Sequence, residues 1–256
     1  MDRWILLLAL TLSAVAAVQG AGYIYKGARS RLTLPLMIAS FIAQMAVLGM
    51  RSDLRGSCPL GDLGEILIFS AWSLTIFYVA VGSMFRLSLL GVFTAPLVTF
   101  LLAVAALPGM LDISPERVVE IDPWGESHAA LSVLAYGALG LSAVAGVMFI
   151  VLNRQLKDAA FTTGLFKNLP PARELSSLVK RLLVIGFILL TSGLACGLMM
   201  EVEAGYGKHF VIAIGQWIAY GIFLLTILLR GMPPGKLSLI SVILFVLSLL
   251  IFPLLS

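Results

Sequence analysis

Asp122-Pro123-Trp124-Gly125-Glu126-Ser127-His128 runs straight into Ala129–Leu152, a stretch without a single charged side chain. At about 1.5 Å per residue such a run is long enough, as a helix, to cross a ~30 Å hydrocarbon core. In lipid, backbone N–H and C=O groups find partners only within the segment, so the run reads as an α-helix. Its mouth is a polar, aromatic lip carrying one of the two histidines in the chain.

Outward from this stretch the pattern repeats. Apolar segments fall at about 4–22, 34–50, 64–82, 87–107, 128–152, 181–200, 209–229 and 237–255. The 256 residues are 60% hydrophobic and 12% charged, with a mean hydropathy of +1.06. A soluble domain carries about twice that charge fraction. The expected fold is therefore all-α: a polytopic bundle of about eight transmembrane helices forming one integral membrane domain, 1–256. The first segment ends in a signal-peptide-like Ala-Val-Gln-Gly-Ala-Gly, but the positive cluster Lys26, Arg29, Arg31 follows it. That order suits a retained helix with its N-terminus outside.

The loops set the orientation. With the N-terminus outside, loops 23–33, 83–86, 153–180 and 230–236 with their helix ends hold 12 of the 17 Lys and Arg. Of the acids only Asp158 and Glu174 fall on that side. The bias places both termini outside, as for a multi-pass protein of a bacterial inner (plasma) membrane. It also accounts for the net charge of +4 without nucleic acid, for which no basic, aromatic-interleaved patch exists. In the outer loop, Ser114-Pro115-Glu116 predicts a short capped helix over 114–120. In the inner loop, Pro170-Pro171 separates two amphipathic pieces. Cys58 and Cys196 have neither redox nor zinc spacing.

Two polar stripes stand out. His128, Ser132, Tyr136 and Gly140 share one face of the fifth segment, and His209, Gln216 and Tyr220 one face of the seventh. Both histidines lie at outer ends, at matched depth. Neutral imidazole is the commonest metal ligand, and two imidazoles from neighbouring helices can clamp a haem iron. The bland alternative is an interfacial histidine satisfied by water. Trp4, Trp124 and Trp217 fall near the outer interface, where an aromatic belt is expected. Trp72 and Trp217 are also candidates to line a flat apolar pocket, and Trp124, beside His128, suits pocket and belt equally. Glu65 at the head of the third segment is a candidate partner for an arginine, or a charge favourable to the helix dipole. Gly193-x-x-x-Gly197 and Gly137-x-x-Gly140 read as helix-packing contacts. No nucleotide loop, H-E-x-x-H or nucleophile elbow occurs, so no independent catalytic motif is present.

Several of these segments resemble a known family. His128-Ala-Ala-Leu-Ser132-Val-Leu-Ala-Tyr136-Gly-Ala-Leu is followed by Arg154-Gln-Leu-Lys157, then Leu169-Pro170-Pro171, then Arg181-Leu-Leu-Val-Ile-Gly186-Phe-Ile-Leu-Leu-Thr191-Ser-Gly193. Together with Cys58-Pro-Leu-Gly-Asp-Leu-Gly-Glu65, Leu90-Gly-Val-Phe-Thr-Ala-Pro96 and Gln216-Trp217-Ile-Ala-Tyr220, this order resembles the cytochrome c assembly family of the CcsA/CcmC type. It is most like the short, eight-helix HemX- or YpjD-like branch. The resemblance runs from about residue 55 onward. It implies haem held at the outer face between histidines and presented to apocytochrome c, alongside other cytochrome c assembly membrane proteins. His128 heads the matching helix and is the first ligand so implied. His209 is a candidate second ligand by position, with Trp124, Trp72 and Trp217 as porphyrin walls and Tyr136 and Ser132 around the ligand. Arg51, Arg55 and Arg117 are candidates to pair the propionates. The family's tryptophan-rich outer motif is replaced here by Glu201-Val-Glu-Ala-Gly-Tyr206-Gly-Lys208-His209, and residues 210–256 hold no histidine. The alternative from a different class is an accessory or regulatory membrane protein that binds no haem.

Overall fold

The computed structural model describes residues 1–26, 31–85, 88–112, 122–157, 172–200 and 207–251. All regular structure among them is helical: α1 (Asp2–Lys26), α2 (Thr33–Arg55), α3 (Leu63–Phe85), α4 (Ser88–Ala105), α5 (Pro123–Lys157), α6 (Ala172–Leu198), α7 (Gly207–Arg230) and α8 (Pro234–Ile251). Six of the eight are long and apolar enough to cross a membrane. The apolar stretches of α4 and α8, Leu89–Ala105 and Pro234–Leu250, fall short of that length. The chain is thus an all-α, multi-pass membrane protein, as its composition requires. The short helix expected over 114–120 lies outside the described residues.

Helix ends follow caps and breakers rather than the limits of the apolar runs. α2 ends where Gly56 takes φ 69° and its N–H bonds Ser52 O at 2.8 Å, a left-handed cap that a residue with a Cβ adopts at a cost. α6 begins at Ala172, directly after Pro170-Pro171 and well before the apolar run at 181, so its first turns carry Arg173, Glu174, Lys180 and Arg181. α7 and α8 are separated by Gly231 (φ 65°), Met232 and Pro233, and Pro234 opens α8.

The helices gather into two compact units, α1–α4 and α5–α8. In the first, α1 packs on α2 and α4, and α3 on α2 and α4. Small polar residues stitch its interior: Ser40 Oγ donates to Ala9 O (2.8 Å), and Thr99 Oγ1 stands 3.1 Å from Ser13 Oγ. In the second, α5 is the centre, packed on α6 and α8. Ser142 Oγ on α5 reaches Val179 O on α6 (3.2 Å) and Ser241 Oγ on α8 (3.1 Å). Between helices in lipid, close backbone approach and dispersion supply the attraction that water expulsion supplies elsewhere. α5 meets this need with Ala135, Gly137, Ala138, Gly140, Ala143, Ala145 and Gly146.

Candidate functional site

The lip of the fifth segment is the first turn of α5. Asp122 is its cap: its carboxylate accepts from Trp124 N and Gly125 N, both at 3.0 Å, while Asp122 O accepts from Glu126 N at 3.0 Å. Pro123 takes the first helical position, where a missing N–H costs nothing. This cap starts α5 five residues before the apolar run, and it places His128 in the second turn. Trp124 is half exposed at the helix head.

His128 is held from α6. Its Nδ1 lies 2.7 Å from Gly193 O. A carbonyl only accepts, so Nδ1 carries a proton, and in the neutral ring it is Nε2 that offers the lone pair with which imidazole binds a metal. The ring lies on Gly197, where an added Cβ would stand 2.8 Å from Nδ1 and 3.1 Å from Cε1. A Cβ at Gly193 would stand 3.1 Å from Ser132 Oγ and 3.3 Å from Ser132 N. The Gly193-x-x-x-Gly197 pair is therefore a helix-packing contact, as expected, and also the cradle that orients His128.

Deeper on the same face, Tyr136 OH donates to Gln216 Oε1 of α7 at 3.0 Å. The Tyr136 ring tilts against Phe245 of α8 with centroids 6.5 Å apart. Gln216 Nε2 is buried and has no hydrogen-bond partner among the described residues. Trp217 is committed to α6: its ring stacks on Phe187 (5.7 Å, 20°) and Nε1 donates to Thr191 Oγ1 at 2.9 Å. Tyr220 turns to α8, within 3.4 Å of Ser248 Oγ.

These contacts fix the register of the second unit. Leu139, Ser132 and His128 face Gly186, Gly193 and Gly197, so α5 and α6 are antiparallel. Thr191 and Phe187 face Trp217 and Phe187 faces Gly221, so α6 and α7 are antiparallel as well. Hence α5 and α7 run parallel, with Tyr136 beside Gln216. His128 lies eight residues before Tyr136, and His209 seven before Gln216, so their backbones stand level to within about one residue rise. His209 lies in the first turn of α7. Its side chain is outside what is described.

Trp72 belongs to the first unit. It stacks on Phe41 of α2 (5.4 Å, 17°) and tilts against Phe69 (5.4 Å, 55°). The end of that unit where α2 finishes and α3 begins holds a charged cluster. Glu65, fully buried, accepts from Arg51 Nε (2.9 Å) and Arg55 Nε (2.8 Å), and from the backbone N–H of Gly61 (3.1 Å) and Asp62 (3.3 Å). Arg55 also pairs with Asp62, and Arg51 with Asp2 (3.3 Å). Glu65 is thus both a partner for arginine and a helix-head charge. Arg51 and Arg55 already face three carboxylates, which leaves little positive field there for a propionate. Arg117 is outside the described residues.

A multi-helix membrane protein with a histidine held through Nδ1 at the N-terminal head of its most buried helix is the class these observations define. Within it, the family whose model is described as "Cytochrome C assembly protein" matches residues 60–255. The chain belongs to that family. Among curated relatives it is 29% identical over 160 residues to cytochrome c biogenesis protein CcsA of Nostoc punctiforme, covering 57% of this chain and 45% of that protein. It is 26% identical over 220 residues to CcsA of Chlamydomonas reinhardtii, covering 81% of this chain and 61% of that one. Protein HemX of Brevibacillus brevis is 25% identical over 173 residues, covering 66% and 62%. The chain spans about half to three-fifths of the length of these relatives.

Proposed function

We propose that the second unit binds haem near its outer end, with His128 Nε2 as an iron ligand, and that the chain handles haem in cytochrome c maturation. The observation that carries this reading is the 2.7 Å contact from His128 Nδ1 to Gly193 O, which occupies one ring nitrogen and leaves Nε2 as the one to meet a ligand. A fixed partner on the other ring nitrogen is the usual support of a metal-binding histidine. Among the described residues no three His, Cys, Asp or Glu side chains come together as a cage for a bare metal ion. Haem iron would suit such a site, because the porphyrin would bring most of the iron's ligands and His128 would have only to complete the set.

In this reading His209, level with His128 by helix register, is the second ligand. Trp124 covers the mouth. Tyr136 and Gln216 close the site below, with Gln216 Nε2 as a spare donor. Trp217, anchored on Phe187 and Thr191, is the remaining proposed wall; Trp72, expected as another, packs within the first unit on Phe41 and Phe69. Thioether formation belongs to the haem and to apocytochrome thiols when haem is bound; the chain's own residues hold, orient and shield. Presentation at the outer face to apocytochrome c, together with other assembly proteins of the inner membrane, follows from the proposed orientation.

The test is the visible spectrum of protein purified from haem-replete cells. A Soret band is expected, and His128→Ala should abolish it while helical content is kept. A colourless, folded wild-type protein would sink the haem reading and leave an accessory role. His209→Ala separately tests the second ligand: an unchanged spectrum and midpoint potential remove it from the site.

A further inference from the structure

Inside the first unit, Gln44 Oε1 and Trp72 Nε1 are both buried and have no hydrogen-bond partner among the described residues. The orientation of the Gln44 amide is set by its neighbour. Ser40 Oγ gives its one hydrogen to Ala9 O at 2.8 Å, so it can only accept from Gln44, whose Nε2 lies 3.0 Å away. The amide oxygen therefore points elsewhere, as an acceptor. An indole Nε1 only donates. One atom wants a hydrogen and the other wants an acceptor.

The two stand at one level. Arg51 on α2 pairs with Glu65 on α3. Seven residues back along α2 and seven forward along α3 lead to Gln44 and Trp72, two turns or about 10 Å deeper. The Phe41–Trp72 stack turns the indole onto α2, within one turn of Gln44. Between this level and the charged cluster lie Val47 and Ile68, both completely buried. With this apolar layer on one side and apolar rings at the flank, a neutral group suits the pair better than an ion. Gln44 is completely buried, whereas Phe41, Phe69 and Trp72 are half-buried at the flank.

We propose that this level is a binding site for one neutral hydroxyl group, which accepts from Trp72 Nε1 and donates to Gln44 Oε1. A buried donor and a buried acceptor left bare are both costly, and a single hydroxyl answers both. The hydroxyl has two possible sources with the same chemistry: an enclosed water, or a hydroxyl on a lipid-soluble ring such as a hydroquinone stacked at the Phe41–Trp72 flank. The site is independent of the haem reading.

The experiment is ultraviolet resonance Raman spectroscopy in phospholipid nanodiscs. The spectrum of Trp72→Phe is subtracted from that of the wild type to isolate the Trp72 band that tracks N–H hydrogen bonding. A hydrogen-bonded band without additive, moved to the weakly bonded position by Gln44→Leu, supports the site with water in it. A weakly bonded band that shifts saturably with a short-chain hydroquinone, and no longer does so in Gln44→Leu, supports the site with a ring hydroxyl. A weakly bonded band under both conditions overturns the proposal, as does any hydrogen-bonded band indifferent to Gln44→Leu. Gln44→Met, closer in volume, replaces Gln44→Leu should far-ultraviolet circular dichroism show that variant unfolded.

Discussion

At the scale of single residues, the second unit depends on what α6 lacks as much as on what α5 carries. His128 is placed by a carbonyl and by two missing side chains. Gly197→Ala would put a Cβ 2.8 Å from Nδ1, so the ring must move and its bond to Gly193 O must lengthen. On the haem reading, affinity is expected to fall about 10–100-fold, as for loss of other groups that orient metal ligands, with helical content unchanged. Haem titration followed at the Soret band measures it, and an affinity within twofold of wild type would count against the cradle. In the first unit, Glu65→Gln leaves two buried guanidinium groups short of their shared countercharge. A loss of about 3–5 kcal/mol is expected from denaturant unfolding in detergent. Asp53→Asn, on the exposed side of the same α2 end, is expected to stay within about 0.5 kcal/mol. His128 was legible because histidine is rare in this chain and sits at a helix head. The partner of Trp72 was not legible: stacking on Phe41 depends on how α2 lies against α3, which no local pattern encodes.

At the scale of helices, hydropathy located every segment, and caps and breakers decided where each one starts. Asp122-Pro123 and Pro170-Pro171 are readable signals, yet the apolar runs at 128 and 181 begin later, because apolarity marks the depth of the hydrocarbon layer and a helix can continue beyond it. The seam between α5 and α8 is another matter of backbone approach. A Cβ on Gly146 would stand 2.9 Å from Ser238 O, a main-chain atom that cannot turn aside. Gly146→Ala is therefore expected to push α8 away and cost about 1–3 kcal/mol. A thermal unfolding midpoint equal to wild type would show that the seam tolerates the methyl group. Gly186 is as tightly placed: a Cβ there would stand 2.6 Å from Leu139 Cγ and Cδ2 and 3.3 Å from Leu139 N, and Leu139 is buried, so Gly186→Ala is expected to cost a similar amount in the same assay.

At the scale of the whole molecule, orientation rests on charge distribution, with 12 of 17 basic residues on the side assigned to the cytoplasm. The expected outcome is direct to check. In a Cys58→Ser, Cys196→Ser background, a cysteine in place of the exposed Asp53 should react with a membrane-impermeant maleimide on intact spheroplasts. A cysteine at Lys167 should react only after permeabilisation. The reverse pattern would invert the topology and move His128 to the inner face. The matched depth of the two histidines would survive either way, since it follows from register.

By itself the sequence determined the class of molecule and its organisation: an all-helical chain of eight apolar segments, its cytochrome c assembly kinship, and His128 at the head of the fifth. These follow from terms that add up locally, namely hydropathy, backbone satisfaction in lipid and residue type. The tertiary structure decided which groups meet: Gly193 O with His128, Tyr136 with Gln216, Trp217 with Thr191, and Arg51 and Arg55 with Glu65. Each pairing joins residues on different helices, so it depends on helix register and crossing. Those are set by where small side chains let two backbones approach, a condition that has to be met along two helices at once.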